Sequence, residues 1–375
     1  MRAGMSTNHS DENSGAAAGA NHLLMRAVAD GARAERRLVA AIDDFFTPEN
    51  ARLDDWMRMR LATMLSGVVA AIEHALRRHA ARLLAGDGYA ALATQLGDEG
   101  PQVEKLLADA GLLRDAGLMR ELLARARHDD LAQSLSAHPN GSIDTPNLLA
   151  RMAEQADSII AGAAAQLMVA ESTRRSGHEP GGTPRSDLPA EMHHRLVWQA
   201  AAALRMAFLP PSAGPAAALD RALSEAALRC LAAHDEGERA EAAAMRLAVA
   251  IDATPAELPD LLVEALNDRL INLFCALLAH AAGLGYDDAR EAVLDPVADR
   301  LWLVLRALEL DRATIARIGL VLCEAQPRRD IELFAEEIDT IAAIDGAAAL
   351  AALAMLRLHP AFREAVMALS GARAA

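Results

Sequence analysis

Aromatic residues make up only 3% of the 375 positions, Lys105 is the sole lysine, and there are three cysteines. Each scarcity excludes something. Few aromatic rings mean that any core must be aliphatic. Cys230, Cys275 and Cys323 stand far apart without a CxxC pair, which excludes a disulfide framework or a zinc ribbon and reads as buried thiols in a reducing cytoplasm. β-Branched runs with period-2 alternation are missing, so no strand is expected. There is no GxSxG elbow for acyl transfer and no glycine-rich phosphate loop, since Gly181-Gly182 lacks a following Gly-Lys. Residues 1–22 are small and polar and lack the apolar run of a signal peptide, so they are expected as a disordered tail.

What is present is alanine, at roughly a quarter of the positions, in a chain 53% hydrophobic and 24% charged. Alanine is the best helix former and its short side chain lets helices pack closely. The fold class expected is therefore all-α. The formal net charge of −15 argues against nucleic acid, which needs a basic face to displace phosphate counterions. The longest uncharged run, Leu270 to Tyr286, is short for a bilayer and interrupted by Asn272, His280 and two glycines, so it reads as a core helix and no membrane insertion is expected. Cytoplasmic localisation follows.

Along the chain, residues 23–46 form a helical pattern stopped by Thr47-Pro48. Asp54 or Asp55 then caps a long helix to about Leu84, with Met57, Leu61, Leu65, Val68, Ile72 and Leu76 in an apolar stripe. Together these suggest an N-terminal long-helix hairpin, whose apolar face could pack on the chain or on a second copy as a homodimer. Glycine clusters punctuate residues 85–101, His138 to Ser142 is a turn, and Thr145-Pro146 starts a helix of about 25 residues. The stretch 172–189, rich in Pro and Gly, reads as a linker between a 23–171 helical domain and a 190–375 helical domain.

In that second part, helices are expected over 190–209, 214–234 and 237–251. Thr254-Pro255-Ala256-Glu257 fits a capping box, although Pro259 places the regular helix start in question. Asn267-Asp268 splits 259–283 into two helices, and Gly283 closes the second. Leu-x-Tyr-Asp-x-Ala at 284–289 returns as Leu-x-Leu-Asp-x-Ala at 308–313, each with an aspartate opening a helix. Short helices that cannot bury their faces alone, stacked on neighbours, are the logic of a HEAT-like irregular repeat array.

At LVEALNDRLINLFCALLAHAAGL (262–284), LDRATIARIGLVL (310–322) and DFFTPENARLDDWMRMRLATML (44–65) the chain resembles an alphaproteobacterial family of HEAT-like all-helical proteins of unknown function. The resemblance implies fold class and bacterial origin. It brings no catalytic residue, cofactor or metal with it.

The residues themselves support little chemistry. His193 and His194 are neighbours and point about 100° apart on a helix, too divergent to grip one metal. Glu73, His74 and His79 lack HExxH spacing and read as a solvated face. His128-Asp129 and His234-Asp235 are HD pairs, the basis of a remote metal-dependent hydrolase alternative. No enzyme activity, cofactor or metal is expected.

Charge is more informative. Between Asp235 and Arg300 there are 14 acidic residues against 5 arginines, a net of −9, leaving −6 for the rest of the chain. The expected partner surface is accordingly acidic, carried by Asp235, Glu236, Glu238, Glu241, Glu264, Asp287, Asp288 and Glu291, with Trp56, Met57 and Met59 as an apolar contact. The function expected is a non-catalytic adaptor or regulatory scaffold binding a protein partner, one of basic character. The alternative is a small-molecule sensor with its ligand held around Leu270 to Ala282.

Overall fold

The computed structural model describes residues 54–97, 102–137, 147–176, 186–296, 298–326 and 328–374, and all regular structure among them is helical. The first half of the expected hairpin, the 138–146 turn and most of the expected linker lie outside the described residues. The described residues form two compact units, each drawn from non-adjacent parts of the chain. One falls within Arg37–Ala126 and Met168–Ala242, the other within Arg127–Leu167 and Ala243–Ala375.

The first, the long-helix unit, is built on α1 (Asp55–Gly86). Asp54 caps it by accepting from the Met57 amide at 2.8 Å, and the stripe Met57, Leu61, Leu65, Val68, Ile72 and Leu76 is buried as the spacing predicts. α2 (Ala90–Gly97), α3 (Gln102–Asp109), α7 (Ala190–Phe208) and α8 (Ala213–Ala232) close over it. The contact faces of α7 and α8 are Leu204, Leu219 and Leu223 interleaved with Ala200, Ala222, Ala226 and Ala227, all buried. Such small residues bring helix backbones close enough for the leucines between them to interdigitate. By length and composition α1 could cross a membrane, but its apolar stripe is spent on this core.

The second, the short-helix unit, contains α10 (Leu258–Asn267), α11 (Ile271–Ala282), α12 (Tyr286–Leu294), α13 (Asp299–Ala307), α14 (Arg312–Ala325), α15 (Ile331–Ala342), α16 (Gly346–Ala352) and α17 (Pro360–Ala374). α11 packs chiefly on its sequence neighbours α10 and α12, whereas α13 packs chiefly on α16 and α10 also meets α14. α11 is buried from Ile271 to Ala279 without interruption. Trp302 stacks on Phe334 with ring centroids 4.9 Å apart, a packing role.

The short helices end by a shared device. Arg269, Gly283 and Glu309 are left-handed, with φ of 62°, 64° and 56°. In each case the next residue, Leu270, Leu284 or Leu310, donates its amide back to the carbonyl of Ala265, Ala279 or Leu305 at 2.8, 2.9 and 3.1 Å. This double-bonded stop satisfies terminal carbonyls and turns the chain at once into the next helix.

That geometry corrects the repeat register: Leu284 corresponds to Leu310, not Leu308, because Leu308 is still the C-cap of α13. Asp311 is an N-cap as expected, accepting from Thr314 at 2.7 Å, whereas Asp287 lies one residue inside α12 and Asp268 is a C-cap. Glu257 does reach back to the Thr254 amide at 3.1 Å, but the regular helix begins only at Leu258, where Pro259 no longer removes a bond.

The helix expected after Thr145-Pro146 is two: α5 (Leu148–Ala153) and α6 (Ser158–Ser176), with Asp157 accepting from the Ile159 amide at 2.8 Å. α4 (Ala116–Ala137) and α9 (Ala240–Ile251) complete the set, and the boundaries between the units fall inside α4, α6 and α9.

Candidate functional site

The most concentrated polar feature of the long-helix unit is an ion cluster that joins residues distant in sequence. Glu121 and Arg125 sit one turn apart on α4, so their side chains meet, with Arg125 Nε donating to Glu121 Oε1 at 2.9 Å. A 3₁₀ turn, Glu236–Glu238, delivers Arg239, whose Nη2 donates to the same Oε1 at 2.7 Å. Arg239 also faces Glu241 at 3.3 Å and Asp187 at 3.6 Å, and Arg125 faces Asp187 at 3.4 Å.

Three carboxylates thus share two guanidiniums in a largely buried setting. Burial alone would lower the Arg125 pKa, but Asp187, Glu121 and Glu241 more than offset it, and the net direction is up. Asp187 is pushed up from the ordinary carboxylate value by burial, with Arg125 opposing and Glu241 adding to the rise. These are groups held for position. A carboxylate pinned by a guanidinium is a poor base, and neither Glu121 nor Glu241 is open to solvent.

Beside the cluster, Ser186 and Leu188 are buried just before α7, and His193 Nδ1 lies 3.1 Å from the Ser186 hydroxyl. His193 stacks on His234 with centroids 4.0 Å apart and planes 15° from parallel. His194, its neighbour, points outward instead and accepts from Trp198 Nε1 at 3.3 Å, beside an open concavity of about 740 Å³ that Glu191 and Arg195 also line. The two histidines therefore diverge as helix geometry requires.

Among the described residues no group of three or more His, Cys, Asp or Glu side chains could hold a metal ion. His128, Asp129, His234 and Asp235, on which the metal-dependent hydrolase alternative rests, belong to no such group among them. The unbroken burial of Ile271 to Ala279, with Asn272 accepting from the Tyr286 hydroxyl at 2.6 Å, shows this segment as packed core.

The expected acidic surface is partly inside. Glu241 belongs to the ion cluster, and Asp288 is buried under a two-pronged contact from Arg363 at 2.6 and 3.1 Å. Both are corrected: they are not surface groups. Glu264 pairs with Arg151, Glu291 with Arg300 at 3.2 Å and Asp287 with Arg290 at 2.9 Å. Asp235 accepts from the Gly237 amide at 2.8 Å, and it, Glu236 and Glu238 are exposed.

Of the apolar trio, Met57 is core and is likewise corrected, while Met59 is 64% exposed and Trp56 39% exposed beneath the Arg60 guanidinium. The face expected to be solvated on α1 is only partly so. Arg77 is buried, pairs with Glu73, donates to the Leu96 carbonyl at 2.8 Å and lies over the Phe208 ring.

The described residues thus form an all-helical structure in which many charged groups are engaged with one another. Residues 183–354, somewhat less than half of the chain, match the model of a family described as an uncharacterised protein conserved in bacteria, DUF2336. The match supports a bacterial family of unknown function over α7 to α16 and includes the 262–284 and 310–322 stretches, whereas 44–65 lies outside it. No curated protein and no solved structure matches the chain.

Proposed function

We propose that this chain is a non-catalytic cytoplasmic adaptor that binds another protein through the outer faces of its helices. In this reading α10 to α15 stack as a HEAT-like array akin to the alphaproteobacterial proteins the sequence resembles. Packing of α11 on α10 and α12, and of α14 on α15, supports the array.

One observation carries the binding reading. α17 turns its apolar side outward: Arg363 is directed inward onto Asp288, while Phe362 is 58% and Leu369 70% exposed, with Leu350 and Met355 exposed on the preceding turns. Large apolar side chains grouped in this way mark contact surfaces. The exposed carboxylates Asp235, Glu236 and Glu238 belong to the reading as a separate region that would attract basic groups.

The test compares what co-purifies with the wild-type chain and with a Phe362→Asp, Leu369→Asp double variant, both checked for native helicity. A protein recovered in stoichiometric amount with the first and lost with the second is the expected result. Identical recoveries from the two would sink the reading.

A further inference from the structure

α1 and α8 lie along one another in the long-helix unit, and their solvent sides carry Arg78, Arg82 and Arg229, all exposed. Arg78 and Arg82 are one turn apart, a spacing at which like charges destabilise a helix. Carboxylates are plentiful in a chain of net charge −15, and nearby arginines use them: Arg205 pairs with Asp220 and Arg221 with Asp87.

Arg78 and Arg229 have no carboxylate in ion-pair contact among the described residues. Arg82 donates through Nε to the Arg78 carbonyl at 3.1 Å and through Nη2 to His79 Nδ1 at 2.9 Å. Because a guanidinium only donates, that contact needs His79 Nδ1 as an acceptor, hence a neutral ring. Burial, then Arg82, Arg78 and Arg229, hold the His79 pKa below its ordinary 6.5. An acidic chain thus keeps three guanidiniums around one imidazole and leaves two of them without carboxylate partners.

We propose that Arg78, His79, Arg82 and Arg229 form a recognition patch for a phosphoryl group carried on a partner polypeptide. A compact dianion matches clustered guanidinium forks, which grip phosphate oxygens two at a time. The patch is the open side of a helix pair, with Leu228 of α8 57% exposed beside Arg229, which suits a group presented on a chain more than a small ion needing enclosure. An extended polyanion or an anionic membrane would instead face the net charge of −15.

The proposal rests on the partner-binding reading and supplies its chemistry. Bound dianion and protonated His79 favour one another, so binding must raise the His79 titration midpoint.

The experiment is an NMR titration of the histidines in the full chain, with His79 assigned by its loss in His79→Gln. The probes are acetyl-Gly-phosphoserine-Gly amide, its serine counterpart and inorganic phosphate, at matched ionic strength. The phosphopeptide is expected to raise the His79 midpoint by about half a unit, equivalent to roughly threefold tighter binding of the protonated form. Arg78→Gln and Arg229→Gln are each expected to raise the midpoint without peptide and to abolish the further rise.

Equal shifts from the phosphoserine and serine peptides, or a rise unchanged in the arginine variants, would overturn the patch. An equal shift from inorganic phosphate at the same concentration would overturn its assignment to a polypeptide partner. A partner retained by Arg78→Gln and lost by the Phe362→Asp, Leu369→Asp variant separates failure of the patch from failure of the adaptor reading.

Discussion

In the long-helix unit Arg125 and Arg239 converge on shared carboxylates, whereas in the short-helix unit Arg306, Arg329 and Arg363 each reach a backbone carbonyl near a helix end. Arg306 donates to Ile344 at 3.0 Å and Leu310 at 2.7 Å, Arg329 to Val293 and Arg363 to Leu356 at 3.3 Å. The long-helix unit uses Arg77 in this way too, on the Leu96 carbonyl at 2.8 Å, but commits Arg125 and Arg239 to an ion network. A unit of short helices exposes terminal carbonyls every ten residues or so and spends Arg306, Arg329 and Arg363 there. Arg329 shows the cost, since burial holds its pKa down to about 10. Damage should therefore spread in the first unit and stay local in the second.

The largest expected effect comes from breaking the network. Glu121→Gln leaves Arg125 and Arg239 facing an amide inside the fold, and the loss should be about 3 kcal/mol in urea denaturation. A loss under about 1 kcal/mol would show that the cluster is solvated and that the two units differ less than their geometry indicates.

Asp187→Asn sharpens the same point through pH. The Asp187 pKa is raised on folding, so the folded protein binds its proton more tightly and its charge disfavours the fold increasingly as pH rises from the unfolded value to the folded one. The variant should gain on the wild type across that window and show no change in the difference below it. A difference independent of pH would mean that Asp187 is not the excess carboxylate.

Next in size is a test of packing. Gly319 lies inside α14, and a Cβ built there would fall 2.1 Å from Cζ of Phe334, whose ring is held against Trp302. Gly67, inside α1, has nothing within 4 Å of such an atom. Gly319→Ala should cost about 1–2 kcal/mol, the overpacking outweighing the gain in helix propensity. Gly67→Ala should stabilise by about 0.5–1 kcal/mol. Thermal melts of the pair check both signs, and a stabilised Gly319→Ala would mean that the Phe334 ring has room to retreat.

How much of this was legible in the sequence depends on whether the signal is local. The α1 stripe, the break between α10 and α11 and the left-handed Gly283 were readable because periodicity, caps and glycine act within a few residues. The stops at Arg269 and Glu309 were not, because neither residue favours positive φ and each is held there by the leucine that follows. The break after α5 was hidden because nothing between Ala153 and Ser158 is a glycine or proline. Of the ion cluster, the pair one turn apart on α4 was visible in principle, but Arg239 reaches Glu121 across 118 positions. Two of the eight expected surface carboxylates, Glu241 and Asp288, proved buried because composition counts charges without their arginine partners.

The smaller predictions concern single helix ends. Asp311 caps α14 through Thr314, whose hydroxyl and amide together depress the Asp311 pKa below the ordinary carboxylate value. Asp311→Ala should cost about 1 kcal/mol at neutral pH. Because the folded pKa is the lower one, the contribution is complete above the unfolded value and fades as pH falls through the folded value. The wild type and the variant should thus converge in acid, and a gap that persists there would assign the effect to helix propensity instead of the cap.

The last prediction has the opposite sign. Glu309 holds a left-handed φ of 56° at the stop between α13 and α14, a conformation that costs a side-chain-bearing residue about 1 kcal/mol and glycine almost nothing. Glycine loses more chain entropy on folding, which takes back part of the gain, so Glu309→Gly should stabilise by a few tenths of a kcal/mol. Asp252 is also left-handed, with φ of 43°, but its carboxylate lies 2.9 Å from His280 Nε2, and Asp252→Gly would lose that contact. The comparison therefore runs between two left-handed positions at helix ends: denaturation midpoints should rise for Glu309→Gly and not for Asp252→Gly. Equal rises would show that backbone strain alone sets the cost of these turns and that the side chain contributes nothing to the stop.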